Sequence, residues 1–149
     1  MENRIDGELL VKRCLALLVL FVGNAAFADT TVTVDVQNVA NPEGTMVLTI
    51  YDSKKSWLKN GLQQEKVAVD GQETVTFSIN LPPGEYAFHA YQDLDDNGKM
   101  KANFIGIPKE PTAVSNNAKG RFGPPKFKDA KVSVSDAPVS VAMNLVSID

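Results

Sequence analysis

The chain has 149 residues, 44% apolar and 22% charged, with a net charge of −3. That length fits one domain with a short appendage, and the composition excludes a collagen-like, coiled-coil or disordered chain. The slightly acidic balance argues against a nucleic-acid binder, a single Cys excludes a disulfide framework, and a single His excludes every two-histidine zinc motif.

Residues 12–28 read KRCLALLVLFVGNAAFA. Lys12 and Arg13 form a basic start, Cys14 to Val22 an apolar run, and Ala26-Phe27-Ala28 a small-residue cleavage site. Residues 1–28 are therefore predicted to be a signal peptide cleaved after Ala28, which makes the protein periplasmic or secreted. A buried core helix and an uncleaved anchor are the alternatives. The run is short for a bilayer span and no second one follows, so no transmembrane span is expected in the mature chain. Residues 1–10 carry three acids and one base, unusual for a signal, which suggests that the true start is Val11.

From Asp29 onward, period-two alternation dominates. Val32, Val34 and Val36 alternate with polar residues in a first strand, closed by the turn Asn41-Pro42-Glu43-Gly44. Thr45–Asp52 gives a second strand, and Ser53–Gly61 a polar connection with Trp57 and Leu58 as a core plug. Glu65–Val69 is a short strand ending at Asp70-Gly71. Glu73–Leu81 alternates through Val75, Phe77 and Ile79. After Pro82-Pro83-Gly84 comes Glu85–Asp93, with Tyr86, Phe88 and Ala90 toward the core and His89 on an exposed face. Lys131–Ser135 and Val139–Leu145 close the chain around Asp136-Ala137-Pro138.

About seven short strands with turn signals at this spacing predict an all-β fold, a single antiparallel Greek-key β-sandwich over residues 29–149. Residues 94–130 break the rhythm and form one long ordered loop. Its Phe104, Ile105, Ile107, Phe122 and Phe127 are expected to pack it onto the sandwich, because a free linker would not carry so many apolar residues.

Asp93-Leu94-Asp95-Asp96-Asn97-Gly98-Lys99 matches the first half of a calcium loop. Asp93, Asp95 and Asn97 would offer side-chain oxygens and Lys99 its carbonyl, with Gly98 at the sharp turn. Further oxygens would come from Asn103, Asn116 or Asp129. The second half is wrong for an EF-hand: Phe104 stands where the bidentate Glu belongs, and Lys101 is a cation beside the cation site. The alternative is an acidic turn whose Asp and Asn side chains bond their own backbone, with Lys99 or Lys101 as internal counter-ion. Calcium is the one cofactor suggested, and none is certain. Residues 93–131 carry eight bases against five acids, a lobe that would attract an anionic surface or glycan or simply keep the loop soluble. Trp57 and Tyr91 are the candidate sugar-stacking aromatics. No Cys nucleophile remains in the mature chain and no G-x-S-x-G elbow is present.

His89–Lys99, Asn103-Phe104-Ile105-Gly106-Ile107-Pro108-Lys109-Glu110, Ser115-Asn116-Asn117 and Gly123-Pro124-Pro125-Lys126-Phe127-Lys128-Asp129-Ala130, in that order, resemble the bacterial exported family known as domain of unknown function 2141. The resemblance covers residues 31–146 and implies a small exported β-sandwich protein of Gram-negative bacteria with no established activity. The Leu81-Pro82-Pro83-Gly84-Glu85-Tyr86 step is similar to that of transthyretin-like and carboxypeptidase-regulatory-like sandwiches. Lys101, Lys126 and Lys128 stand where relatives often have acidic or neutral residues, which implies weakened cation binding in this member. The sequence thus predicts a non-enzymatic exported module for binding or envelope support, with an unknown ligand or envelope component as partner. A calcium-stabilised ligand- or glycan-binding module is the alternative and a hydrolase the third class. A monomer or weak dimer is expected, and no nucleic acid.

Overall fold

The computed structural model describes residues 28–147. The predicted signal peptide and the Val11 start lie outside these residues, except for Ala28. Eight strands form: β1 Thr30–Gln37, β2 Thr45–Tyr51, β3 Gln63–Ala68, β4 Thr74–Leu81, β5 Gly84–Asp93, β6 Thr112–Val114, β7 Val132–Val134 and β8 Val139–Asn144. A 3-10 turn at Ser115–Asn117 and a four-residue helical turn, α1 Phe127–Ala130, complete the chain. No helix among the described residues is long and apolar enough to cross a membrane.

The strands form two sheets. One has the order β4-β1-β8, the other β3-β2-β5-β6 with β7 paired to the start of β5. All pairings are antiparallel except one: β1 and β8 run parallel, with Val32 opposite Val139 and Gln37 opposite Asn144. This corrects the wholly antiparallel expectation. Parallel neighbours need a long connection between them, and here almost the whole domain supplies it.

Alternation decides which side chains enter the core. In β4, Val75, Phe77, Ile79 and Leu81 are buried while Thr74, Thr76, Ser78 and Asn80 face solvent. They join Val32, Val34 and Val36 of β1, Met46, Leu48 and Ile50 of β2, and Phe88 and Ala90 of β5 in one cluster drawn from both sheets. On the outer face of the first sheet the polar side chains pair across strands. Thr31 bonds Asn80 at 3.0 Å and Thr76 bonds Asp35 at 2.7 Å. Along one side the sheets are stitched by a reciprocal main-chain pair between Thr112 and Val146, at 2.9 and 2.8 Å.

The second sheet is buried on both faces where β2 and β5 lie side by side, and here the exposed placement of His89 is overturned. Tyr51, Ala87, Trp57 and Ala130 form a second cluster on its outer face, with Val114 and Phe127 against them. Trp57 is the plug expected from the sequence. Its indole meets Tyr51 and Phe127 edge-on, and its Nε1 donates to the Pro125 carbonyl at 2.8 Å.

Ser115-Asn116-Asn117 ties this cover down. The Ser115 Oγ, fully buried, accepts from Phe88 N at 3.0 Å and donates to the Ala130 carbonyl. Asn116 Nδ2 donates to the Asp129 and Lys131 carbonyls, and Asn117 Oδ1 accepts from Asn144 N at 2.7 Å. Both asparagines adopt positive φ, which Asn tolerates better than most residues. Of the five apolar residues expected to anchor residues 94–130, only Phe127 packs. Phe104, Ile105, Ile107 and Phe122 are exposed, because hydrogen bonds rather than apolar contacts hold that segment.

Candidate functional site

The site grows from the end of β5. Asp93 pairs in register with Thr45 of β2 and is 2% exposed. Its Oδ1 accepts from Asn97 N at 3.2 Å and its Oδ2 from Gly98 N at 2.7 Å. Asn97 Oδ1 in turn accepts from Lys99 N at 2.8 Å. Asp96 sits at φ 51° and its Oδ1 takes the Thr45 hydroxyl at 2.8 Å. Gly98, at φ 76°, turns the chain where most side chains would be strained. Short Asp and Asn side chains capturing nearby N–H groups in this way are the ordinary chemistry of such turns.

Glu110, absent from the sequence-based site, completes the arrangement. It is 3% exposed, and its two oxygens accept from Leu94 N at 3.0 Å and Lys101 N at 2.8 Å. One buried carboxylate thereby ties the chain just after β5, at Leu94, to the first arm of a small hairpin, at Lys101. The hairpin closes through Lys109 N to the Lys101 carbonyl at 2.8 Å and Asn103 N to the Ile107 carbonyl at 2.9 Å. Its tip is organised by Asn103, whose carbonyl accepts from Gly106 N while its Oδ1 accepts from Ile105 N and Ile107 N. Beyond that frame Phe104 is 99% exposed and Ile105 65%.

Of the four predicted metal ligands, Asp93 and Asp95 come together, and Glu110 joins them. Each offers one oxygen, and the three atoms lie within 4.8 Å of one another. Asn97 and Lys99 instead bond each other within the turn. Asn103 orders the hairpin tip. Asn116 and Asp129 lie toward the opposite end of β5, near β7, and do not reach Asp93. Lys101 Nζ approaches Asp95 Oδ2 at 3.4 Å. Burial pushes the Asp95 carboxyl up, but hydrogen bonding from Asn97 and Lys101 and the Lys101 charge outweigh it, so Asp95 ionises below the ordinary carboxylate range. The ion pairs among the described residues are Lys101–Asp95 and Lys131–Glu85, so the buried charges of Asp93 and Glu110 are balanced by backbone N–H donors rather than by an ammonium.

Tyr91, beside the turn, has its phenol pushed up by burial and then by the charges of Asp93 and Glu110. His89 lies one step further into the sheet, between Thr49 of β2 and Val114 of β6, stacked on Tyr91 at 6.4 Å. Burial lowers its imidazole to about 4, so it is neutral at pH 7.

A family model described as an uncharacterized protein conserved in bacteria, DUF2141, matches residues 34–142. No curated protein and no solved structure matches.

Proposed function

The chain belongs to this family of uncharacterized bacterial proteins, and from that premise we propose that it is an exported, non-enzymatic β-sandwich module of Greek-key type that binds an envelope component through the hairpin after β5. The sandwich description is supported by the larger of the two core clusters, which both sheets feed. One observation carries the functional reading: a hairpin held at its base by two buried carboxylates presents a 99% exposed Phe104. Exposed apolar side chains that lie together, here Phe104 with Ile105 and Ile107, mark interaction surfaces, whereas single ones are ordinary. Holding a large apolar side chain out in water has a cost that a binding surface recovers when it is covered.

Cross-linking tests this reading. A single thiol at Phe104→Cys, carrying a photoreactive group, should capture envelope material in the producing bacterium. The same label at Ser140→Cys, on the exposed polar face of β8, should not. Equal capture at the two sites, or none at Phe104→Cys, rejects the hairpin as the working end.

A second reading is favoured by the convergence of Asp93, Asp95 and Glu110: a calcium-stabilised module. A ligand bound only by the folded state stabilises it by about 2.7 kcal/mol at a hundredfold excess over Kd. Melting in millimolar calcium against chelator should then show a rise of several degrees that Asp95→Ala abolishes. An unchanged melting temperature leaves Lys101 as the internal counter-ion of a self-capped turn.

A further inference from the structure

Resting on the reading that this hairpin is the binding end, we propose that its partner is the interface of an anionic lipid bilayer, into which residues 103–107 insert while the lysines around them meet the headgroups. The distribution of side chains is the first argument. Residues 99–109 contain three lysines, Lys99, Lys101 and Lys109, and no acid. Their apolar members Met100, Phe104, Ile105 and Ile107 are all exposed. The acids of the turn are engaged at the base: Asp93 and Glu110 on backbone N–H groups, Asp96 on Thr45, Asp95 on Lys101. With Lys101 engaged by Asp95, Lys99 and Lys109 are left as a cationic collar below an apolar tip, the pattern of segments that lie in a membrane interface, where lysine stems reach the headgroup level and apolar groups go deeper.

The second argument is the state of the backbone. A loop can leave water only if its polar main-chain groups are satisfied without water. At this tip the N–H groups of Asn103, Ile105, Gly106 and Ile107 have acceptors inside the hairpin, two of them on the Asn103 side chain, whereas Phe104 N–H and the carbonyls of Phe104, Ile105 and Gly106 have no partner among the described residues, so the tip fits the interface, where water and headgroups remain to bond them, and not the hydrocarbon core. From Lys101 to Phe104 the chain extends roughly 10 Å, comparable with the depth to which interfacial segments bury their apolar face. With no helix among the described residues able to cross a membrane, this contact would seat the domain on the surface rather than span it.

The test uses the exported chain as recovered from the bacterial envelope, with vesicles of phosphatidylcholine alone or mixed with phosphatidylglycerol. The wild-type chain should co-sediment with the mixed vesicles and much less with phosphatidylcholine, because each collar lysine contributes roughly fivefold on an anionic surface. Phe104→Ser with Ile105→Ser should weaken binding at least tenfold at an unchanged melting temperature, since neither side chain packs in the fold. Lys99→Gln with Lys109→Gln should erase the preference for the anionic mixture. Phe104→Trp should bind and shift its emission to the blue when mixed vesicles are added. Absence of co-sedimentation, equal binding by the double serine variant, or unshifted emission from Phe104→Trp overturns the lipid assignment. Photo-capture of a protein rather than lipid from Phe104→Cys likewise overturns it while leaving the hairpin as the working end. Failure of all capture from that position rejects the functional reading itself.

Discussion

His89 makes stability fall on acidification in a window that can be worked out in advance. The chain has one histidine. Burial between β2 and β6 holds its folded-state pKa at about 4, against about 6.5 in the unfolded chain. Between these values the unfolded state carries a proton that the folded state refuses. By linkage, stability therefore rises with pH across the window and is lost as pH falls through it. Each unit is worth about 1.4 kcal/mol, so the loss from pH 6.5 to 4 reaches about 3 kcal/mol, or on the order of 10 °C in melting temperature for a domain of this size. Asp95, held below the usual carboxylate range, adds its own loss at the acid end. Urea unfolding from pH 7 to 4.5 should therefore be compared between the wild type and His89→Leu. The variant should lose most of the slope between pH 6.5 and 5, where carboxylates contribute little. Because the imidazole is unique, its proton resonance reports the site directly. An imidazole titrating near 6.5 in the folded protein, or a slope unchanged in His89→Leu, refutes the burial argument.

Three further outcomes follow from the packing. Gly98→Ala meets only Lys66 Nζ at 3.7 Å, so it should cost about 1 kcal/mol from the positive φ alone; Gly44→Ala has the same backbone handicap and also drives its Cβ into the Asp93 carbonyl oxygen, so it should cost roughly 3 kcal/mol in the same denaturation assay. Ser115→Ala leaves Phe88 N buried without an acceptor and should lower stability by about 1–3 kcal/mol, whereas an effect under about 0.5 kcal/mol would show that the Ser115 hub is dispensable. Glu110→Gln turns one end of the clamp from acceptor to donor against an N–H group; hydrogen exchange at Leu94 and Lys101 should accelerate while the β1–β8 pairing stays protected.

What was legible in the sequence was local. The alternation of Val75, Phe77 and Ile79 marks a half-buried strand, and β4 is one. Asp93, Asn97 and Gly98 lie within six residues, and their mutual capture follows from short side chains beside free N–H groups. The misreadings involve partners distant in the chain. Nothing near Val32 reveals that Val139 will lie beside it and run the same way. His89 looked exposed because its own strand alternates; the cover comes from Val114 and the second aromatic cluster, which the strand does not encode. β6 has only three residues, and it is a strand because His89–Tyr91 offers an edge for it. Glu110 was overlooked for the same reason. It lies seventeen residues after Asp93 and finds the turn only once the hairpin between them has closed.

The long segment after β5 also shows why apolar content is a poor guide to burial when polar side chains can do the fastening. One end is held by Asp93 and Glu110 on four backbone N–H groups, the other by Ser115, Asn116 and Asn117 on backbone groups of β5, α1, Lys131 and β8. A hydrogen bond to a charged acceptor contributes about 1.5–3 kcal/mol, comparable with burying one large apolar side chain. Two such clamps therefore order the hairpin without drawing on Phe104 or Ile105. Those side chains are released from any duty inside the fold, so replacing them should leave its stability unchanged and alter only what the hairpin contacts. The burden of holding the hairpin then falls on Glu110, which is why Glu110→Gln should impair binding with Phe104 intact, and why Phe104→Ser should impair it with the clamp intact.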